Sequence, residues 1–457
     1  MRTSSISRCL FAAVVMFSLD AEAQDRVREA GEGIEAQVRQ LLVGDPERRR
    51  EALAALAARG NPDVAAALIQ TLRYIRDDDH ATRDTLEAVT QARPGEGWED
   101  WMLWQESHPE IESFDGFDAF KADLFSLIDV DFRLFLRRGV KHEVRLEEIV
   151  WGGVLKDGIP ALNDPKLLSP ADATYITGGE LVFGVEINGD ARAYPMRMLD
   201  WHEMFNDVIG GVPVALAYCT LCGSGILFET QVEGRSERFI FGSSGFLFRS
   251  NKLMYDQETH SLWNQFTGRP VVGPLTGSGI ELIVRPVAIT TWKDWLARHA
   301  DTKVLSLDTG FDRDYTPGRP YAGYFSSPDL MFPALVKDTR LKPKDFVFAL
   351  RSDVHEKAWP LSEFNGGRVI NDRIGTLDVV LIGDAASRTV RAYDARGRDF
   401  TAAAGSADII ESDGQRWEIE EESLVGEDGQ TLARLPGHIA YWFAWSGYKA
   451  EAPLFER

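Results

Sequence analysis

The sequence predicts an α+β protein whose larger part is mainly β and two-lobed, preceded by an α-helical, HEAT-like region. Three observations carry that expectation. The chain is alanine-rich with helical spacing up to about residue 93. After Val150 it changes to short Val/Ile/Phe-rich runs separated by Gly, Asn and Asp, the texture of strands and turns. That β-rich part also matches itself. Placing Val182-Phe183 on Val347-Phe348 and continuing without a gap sets Ala193 on Ala358 and Pro195 on Pro360. Asn206-Asp207 then falls on Asn371-Asp372, Ile209-Gly210 on Ile374-Gly375 and Val214 on Val379. In a shifted register Pro286, Trp292 and Trp295 fall on Pro436, Trp442 and Trp445. An internal duplication is therefore expected.

In chain order, residues 1–23 have the form of an export signal. Arg2 and Arg8 precede the apolar run Cys9 to Leu19, and Ala21-Glu22-Ala23 forms an A-x-A-like cleavage site. Residues 24–93 form the HEAT-like region. One helix runs from Glu47 to Ala58 with Leu53 and Leu56 inward, and Gly60-Asn61-Pro62 breaks it. Asp63 is expected to cap a second helix that carries Val64, Leu68, Leu72 and Ile75 at helical spacing. Residues 94–148, rich in Trp, Phe and Leu, form a helical bracing segment. The first β-rich lobe spans 149–330, where Asn188-Gly189 between two apolar runs marks a hairpin. The second lobe spans 331–457.

The 457 residues carry a net charge of −21. So acidic a chain is repelled by phosphate backbones, so no nucleic-acid partner is expected. No stretch reaches the ~20 apolar residues of a membrane span. A periplasmic or secreted location follows from the N-terminal pattern. The helical region is a candidate surface for a protein partner.

Once Cys9 is removed with the signal, Cys219 and Cys222 are the only thiols. Val214 to Cys219, then Thr220-Leu221-Cys222-Gly223, then Ser224 to Phe228 has the form strand, tight turn, strand. A thioredoxin-type site would put the first cysteine at a helix N-terminus, which this pattern lacks. Cys-x-x-Cys-Gly between strands resembles instead a knuckle offering two thiolates to one metal, and softness favours copper or zinc. His202, just upstream of the cysteine strand, is the first candidate for a third ligand. His438, in the second lobe, is the next. Ser244, Tyr255, Asp256, Trp263 and Gln265 alternate polar and aromatic character and are candidates for lining a substrate cleft. P-loop, Rossmann, G-x-S-x-G and H-E-x-x-H patterns do not occur.

Several of these segments together resemble the bacterial DUF3179 family. They are Lys156-Asp157-Gly158-Ile159-Pro160-Ala161-Leu162, Asn188 to Pro195, Trp201-His202-Glu203, Asn206-Asp207, Tyr218-Cys219-x-x-Cys222-Gly223, and Met254-Tyr255-Asp256 through Trp263. The sequence departs from the family pattern at Thr220, usually proline, and at His260, usually acidic. Some relatives place selenocysteine in this motif, so the resemblance implies reactive sulfur without naming a reaction. Three functions are expected in turn. The first is a Cys-Cys-His copper or zinc centre with redox character, the second metal-free thiol–disulfide chemistry, and the third a binding or scaffold protein with a structural disulfide.

Overall fold

A computed structural model describes residues 33–75, 79–352, 355–404, 408–449 and 451–456. The export signal and its cleavage site lie outside the described residues. The described residues form two compact units, one within 33–140 with 146–148, the other within 141–145 and 149–456. Both helical segments expected from the sequence thus belong to one unit.

In the helical unit, Asp45 caps Pro46–Arg59 through the Glu47 and Arg48 amides, and Gly60, with φ +65°, closes it. Leu53 and Leu56 are buried. The next cap differs from expectation. Asn61, not Asp63, caps the turn Pro62–Val64, and the Asp63 carboxylate pairs with Arg59. Asn61 precedes the proline, so its extended backbone leaves the side chain free to accept the Asp63 amide. Helices Ala65–Tyr74, Asp79–Thr90, Trp98–Ser107 and Phe117–Ser126 follow. Among the described residues no helix is long and apolar enough to cross a membrane.

The second unit is mainly β. Its first half opens on the hairpin Leu181–Ile187 and Asp190–Pro195, turned by Asn188 and Gly189 at φ 51° and 77°. A short helix, Met196–His202, leads into the meander Met204–Ile209, Val212–Cys219 and Ser224–Glu229. Strand Ala288–Thr291 returns to pair with the hairpin. The second half repeats this order with Phe346–Arg351, Glu356–Pro360, a single 3-10 turn, and the meander Arg368–Ile374, Leu377–Asp384 and Thr389–Asp394. There His438–Tyr441 is the returning strand.

The pairing registers correspond residue for residue. Val182 faces Pro195 as Val347 faces Pro360, and Asn206 faces Ala215 as Asn371 faces Val380. Cys219 faces Ser224 as Asp384 faces Thr389. Polar contacts correspond too. Tyr194 Oη donates to Asp207 (2.6 Å) and Trp359 Nε1 to Asp372 (2.8 Å), while Arg192 and Lys357 pair with the same two carboxylates. Asn206 exchanges two hydrogen bonds with the Phe241 backbone, and Asn371 does the same with Phe400.

In the second half that asparagine clasps the ends of an eight-stranded antiparallel sheet into a near-barrel. One apolar core serves both halves. Phe183, Tyr194, Phe205, Leu216 and Leu227 pack in it with Phe348, Trp359, Ile374 and Leu381. Such a shared core removes apolar area from water for both halves at once.

Candidate functional site

The cysteine turn forms because two antiparallel strands must reverse over four residues. Cys222 N–H bonds Cys219 O (3.2 Å) and Gly223 N–H bonds Thr220 O (3.3 Å). Gly223 has φ +60°, a region that costs other residues energy. Three further bonds fix the turn from outside. Tyr441 N–H donates to Cys222 O (2.7 Å), Tyr324 Oη to Leu221 O (2.6 Å), and Thr220 Oγ1 to Glu203 (3.3 Å).

The two sulfurs lie 3.0 Å apart, unbonded and buried. In the dithiol, Cys219 faces Cys222, whose own proton faces Ser250 O at 3.4 Å. Asn251 Nδ2 donates to Cys222 Sγ at 3.3 Å. The two acidities diverge. Burial raises the Cys219 pKa, but the Cys222 thiol and the Lys252 and Cys222 amides more than offset it, and the net shift is downward. Burial pushes the Cys222 pKa well up, and the neighbouring Cys219 adds to that. Cys219 is therefore the sulfur that ionises, and Cys222 then holds the proton shared between them.

The hairpin Phe241–Phe248 and Asn251–Asp256 delivers the rest of the site. Its tip, Arg249 and Ser250, has φ 49° and 60° without a glycine. A two-residue turn of this hand normally uses Asn-Gly, so the tip stores roughly 1–2 kcal/mol per residue. What the strain achieves is visible in the Ser250 carbonyl, which meets Cys222 while its hydroxyl donates to Phe332 O and Pro333 O. Lys252, buried, pairs with buried Glu203 at 2.6 Å. Gln265 is fixed by two carbonyls that its amide nitrogen must serve, Ala217 O (2.7 Å) and Ser224 O (2.8 Å). Its oxygen then accepts from Asn251 Nδ2 (2.7 Å) and Ser224 Oγ (3.1 Å).

The histidines lie differently from a metal site. His202 is fully buried, with Nδ1 2.8 Å from Pro160 O and Nε2 2.5 Å from Tyr315 Oη. A carbonyl can only accept, so Nδ1 carries the proton and Nε2 accepts from the tyrosine. Both nitrogens are engaged away from sulfur. His438 sits beside Phe266 and Trp445, its pKa pulled down to about 3 by burial and Arg351. Its strand does reach the turn, but through the Tyr441 amide. Among the described residues no three His, Cys, Asp or Glu side chains are grouped to hold a metal. The expected copper or zinc ligand set thus does not fit this arrangement beyond the two cysteines.

The expected cleft residues are mostly interior. Asp256, fully buried, accepts from the Thr259 and Ser261 amides, Thr259 Oγ1 and Trp263 Nε1 (2.6–3.2 Å), so it organises its own turn. Ser244 donates to Leu253 O and Tyr255 to Asp157. Only Gln265 of that set belongs to the sulfur site, through Asn251. Polar residues on strands buried on both faces satisfy each other instead of facing substrate. Sequence reasoning missed Lys252 and the roles of Asn251 and Ser250. A lone lysine directly before the apolar run Leu253-Met254-Tyr255 was the available signal.

The fold and site define a class: a mainly β protein holding an asymmetric, buried Cys-x-x-Cys dithiol in a strand–turn–strand. Residues 156–452 match the family described as Protein of unknown function (DUF3179), and the chain belongs to that family. In comparisons with curated proteins and with solved structures nothing matches.

Proposed function

We propose that this is an exported thiol–disulfide oxidoreductase, with Cys219 as the attacking sulfur and Cys222 as the resolving one. The observation that carries the reading is the divergence of the two thiols across 3.0 Å: one is stabilised as thiolate, the other holds the proton. His202, expected to complete a metal site, has both ring nitrogens committed elsewhere. The Cys219 thiolate attacks one sulfur of a small disulfide, whose S–S bond breaks, and the leaving thiolate takes up a proton. Deprotonated Cys222 then attacks Cys219 in the mixed disulfide and releases the second thiol. The protein ends as a Cys219–Cys222 disulfide, having passed two electrons and two protons to the substrate.

The β unit is read as a duplication in which one copy kept the dithiol, supported by the matching registers and polar contacts of its halves. The helical unit is read as HEAT-type helix pairs with room for a protein partner, supported by the capped corner at Asn61-Pro62. Export rests on the pattern of residues 1–23.

The test uses a Cys9→Ser background, so that only two thiols remain. The reduced protein is treated with hydroxyethyl disulfide and its thiols counted. Both should be lost together and return with dithiothreitol. Cys222→Ser should trap one mixed disulfide on Cys219, seen by mass. Two thiols that persist against both this disulfide and hydrogen peroxide, or a mixed disulfide trapped on Cys222 in Cys219→Ser but none on Cys219 in Cys222→Ser, would overturn the reading.

A further inference from the structure

Two cavities lie near the site, and the smaller one reaches it at Asn251. One, of about 280 Å³, is lined by Val144, Asn251, Phe266, Thr267, Ala444 and Tyr448 among others. The other, of about 710 Å³, carries His438 and Trp445 and shares Phe266, Thr267, Arg269 and Tyr448 with the first. The two adjoin along these shared residues and are taken together as one chamber.

Each cavity wall holds a buried polar atom for which the protein offers no partner. The Gln265 amide is oriented by two carbonyls, so Asn251 must present its NH2 to Gln265 Oε1 and to Cys222 Sγ. That leaves Asn251 Oδ1 without a hydrogen bond, on a side chain only 6% exposed. His438 Nε2 is equally unpartnered, on a residue 9% exposed. An unsatisfied buried acceptor costs about 1–3 kcal/mol, a cost that a ligand supplying the missing donor removes. The stacked rings of Phe266 and Tyr448, 5.4 Å apart, offer apolar area beside it. The charges lining the larger cavity are matched, with Arg269 and Arg351 both paired to Glu281 and Lys449 to Glu356, while Glu143 and Arg249 line the smaller one.

We propose that this chamber is the substrate pocket of the dithiol. It takes a small neutral molecule with an apolar body and an O–H or N–H group, which donates to Asn251 Oδ1. The same asparagine touches Cys222 with its other end, so a molecule anchored there lies next to the sulfur pair. On the redox reading, on which this inference rests, the occupant is a low-molecular-weight disulfide bearing hydroxyl or amide groups.

Hydroxyethyl disulfide has that chemistry and serves as the probe; hydrogen peroxide, too small to need the pocket, serves as the control oxidant. Ala444→Phe fills the chamber from one lining position, and Val144→Trp from another in case the first variant folds poorly. Either should raise KM for hydroxyethyl disulfide at least tenfold and leave the peroxide rate of thiol loss within twofold of the parent. An unchanged KM in both variants would place the pocket elsewhere and leave the dithiol reading intact. A parent protein oxidised by peroxide but not by the hydroxyl-bearing disulfide would overturn the ligand class. A parent inert to both oxidants would remove the redox reading itself.

Discussion

The two halves of the β unit place different chemistry on one backbone plan. At the end of the second meander strand the first half has Cys219, and the second has Asp384 in the same register. Cys222 corresponds to Ser387, whose hydroxyl lies 2.9 Å from Thr389 Oγ1, a local turn bond with no outside partner in it. Gly223 corresponds to Arg388, and both hold positive φ, 60° and 54°. What separates the halves is the surroundings of the turn. The cysteine turn is enclosed by a strained hairpin tip, a buried Lys252–Glu203 pair and the Tyr441 strand of the other half. Arg368 stands where the first half has Glu203, and it is exposed. Only the first half surrounds its turn with fixed side-chain hydrogen bonds and a buried ion pair.

The largest expected difference concerns the sulfurs. Cys219→Ser should abolish oxidation of the pair by hydroxyethyl disulfide, whereas Asp384→Asn with Ser387→Ala should leave the rate within twofold. Thiol titration over time measures both. A comparable loss from the second-half variant would mean that the two turns act together.

Next comes the buried ion pair. Lys252→Met leaves Glu203 charged and buried with only Thr220 Oγ1 beside it, which should cost about 3–5 kcal/mol in urea unfolding. Lys357→Met breaks a less deeply buried pair, 17% and 16% exposed, whose carboxylate keeps Trp359 Nε1, and a smaller loss of about 1–2 kcal/mol is expected. Equal losses would show that burial does not distinguish the halves.

Much of this plan was legible in the sequence because its signals are local. Asn188-Gly189 announces its turn by conformational preference, and Gly223 after the cysteines announces another. The repeated Val, Pro and Asn-Asp positions gave the register of both halves. The parts that stayed hidden depend on distant partners. Nothing near Lys252 indicates Glu203, because the two meet only when a hairpin folds back onto the cysteine strand. The tip at Arg249 and Ser250 lacks the glycine that would mark positive φ. Asp256 looks like a cleft carboxylate until its own turn consumes its lone pairs, and His202 looks like a ligand until Pro160 and Tyr315 occupy its ring.

A smaller difference involves protons. Burial, with Glu203 nearby, pushes the Asp200 pKa up from 3.8 to about 7, against the lowering effect of the Tyr218 hydroxyl and Arg388. A carboxyl raised on folding binds its proton more tightly in the native state. Its contribution is therefore full below pH about 4 and is lost as pH rises toward 7. The second half has the uncharged, exposed Asn365 at this position. Asp200→Asn should flatten the stability profile between about pH 4 and 7 and stabilise the protein at pH 8, as read from urea midpoints across pH. An unchanged slope would assign that window to other groups.

The smallest effect is expected at the positive-φ position the two turns share. A Cβ on Gly223 would sit 2.9 Å from the Phe346 ring and 3.3 Å from Tyr441, whose rings stack at 4.4 Å and brace the turn. Gly223→Ala therefore adds close contact to backbone strain of roughly 1 kcal/mol, and a total loss of about 1–3 kcal/mol is expected. Arg388→Gly runs the other way. It relieves the same strain but gives up the guanidinium 4.4 Å over the Phe346 ring, worth about 0.5–1 kcal/mol, and adds glycine's chain entropy. Those contributions oppose each other, so the urea midpoint should move by less than about 1 kcal/mol equivalent. Gly223→Ala should also slow thiol loss, because the turn cannot shift without moving Cys222 O away from the Tyr441 amide. If Gly223→Ala proves as mild as Arg388→Gly in both readouts, the second half does not brace the cysteine turn. The asymmetry between the halves would then reside in the side chains alone.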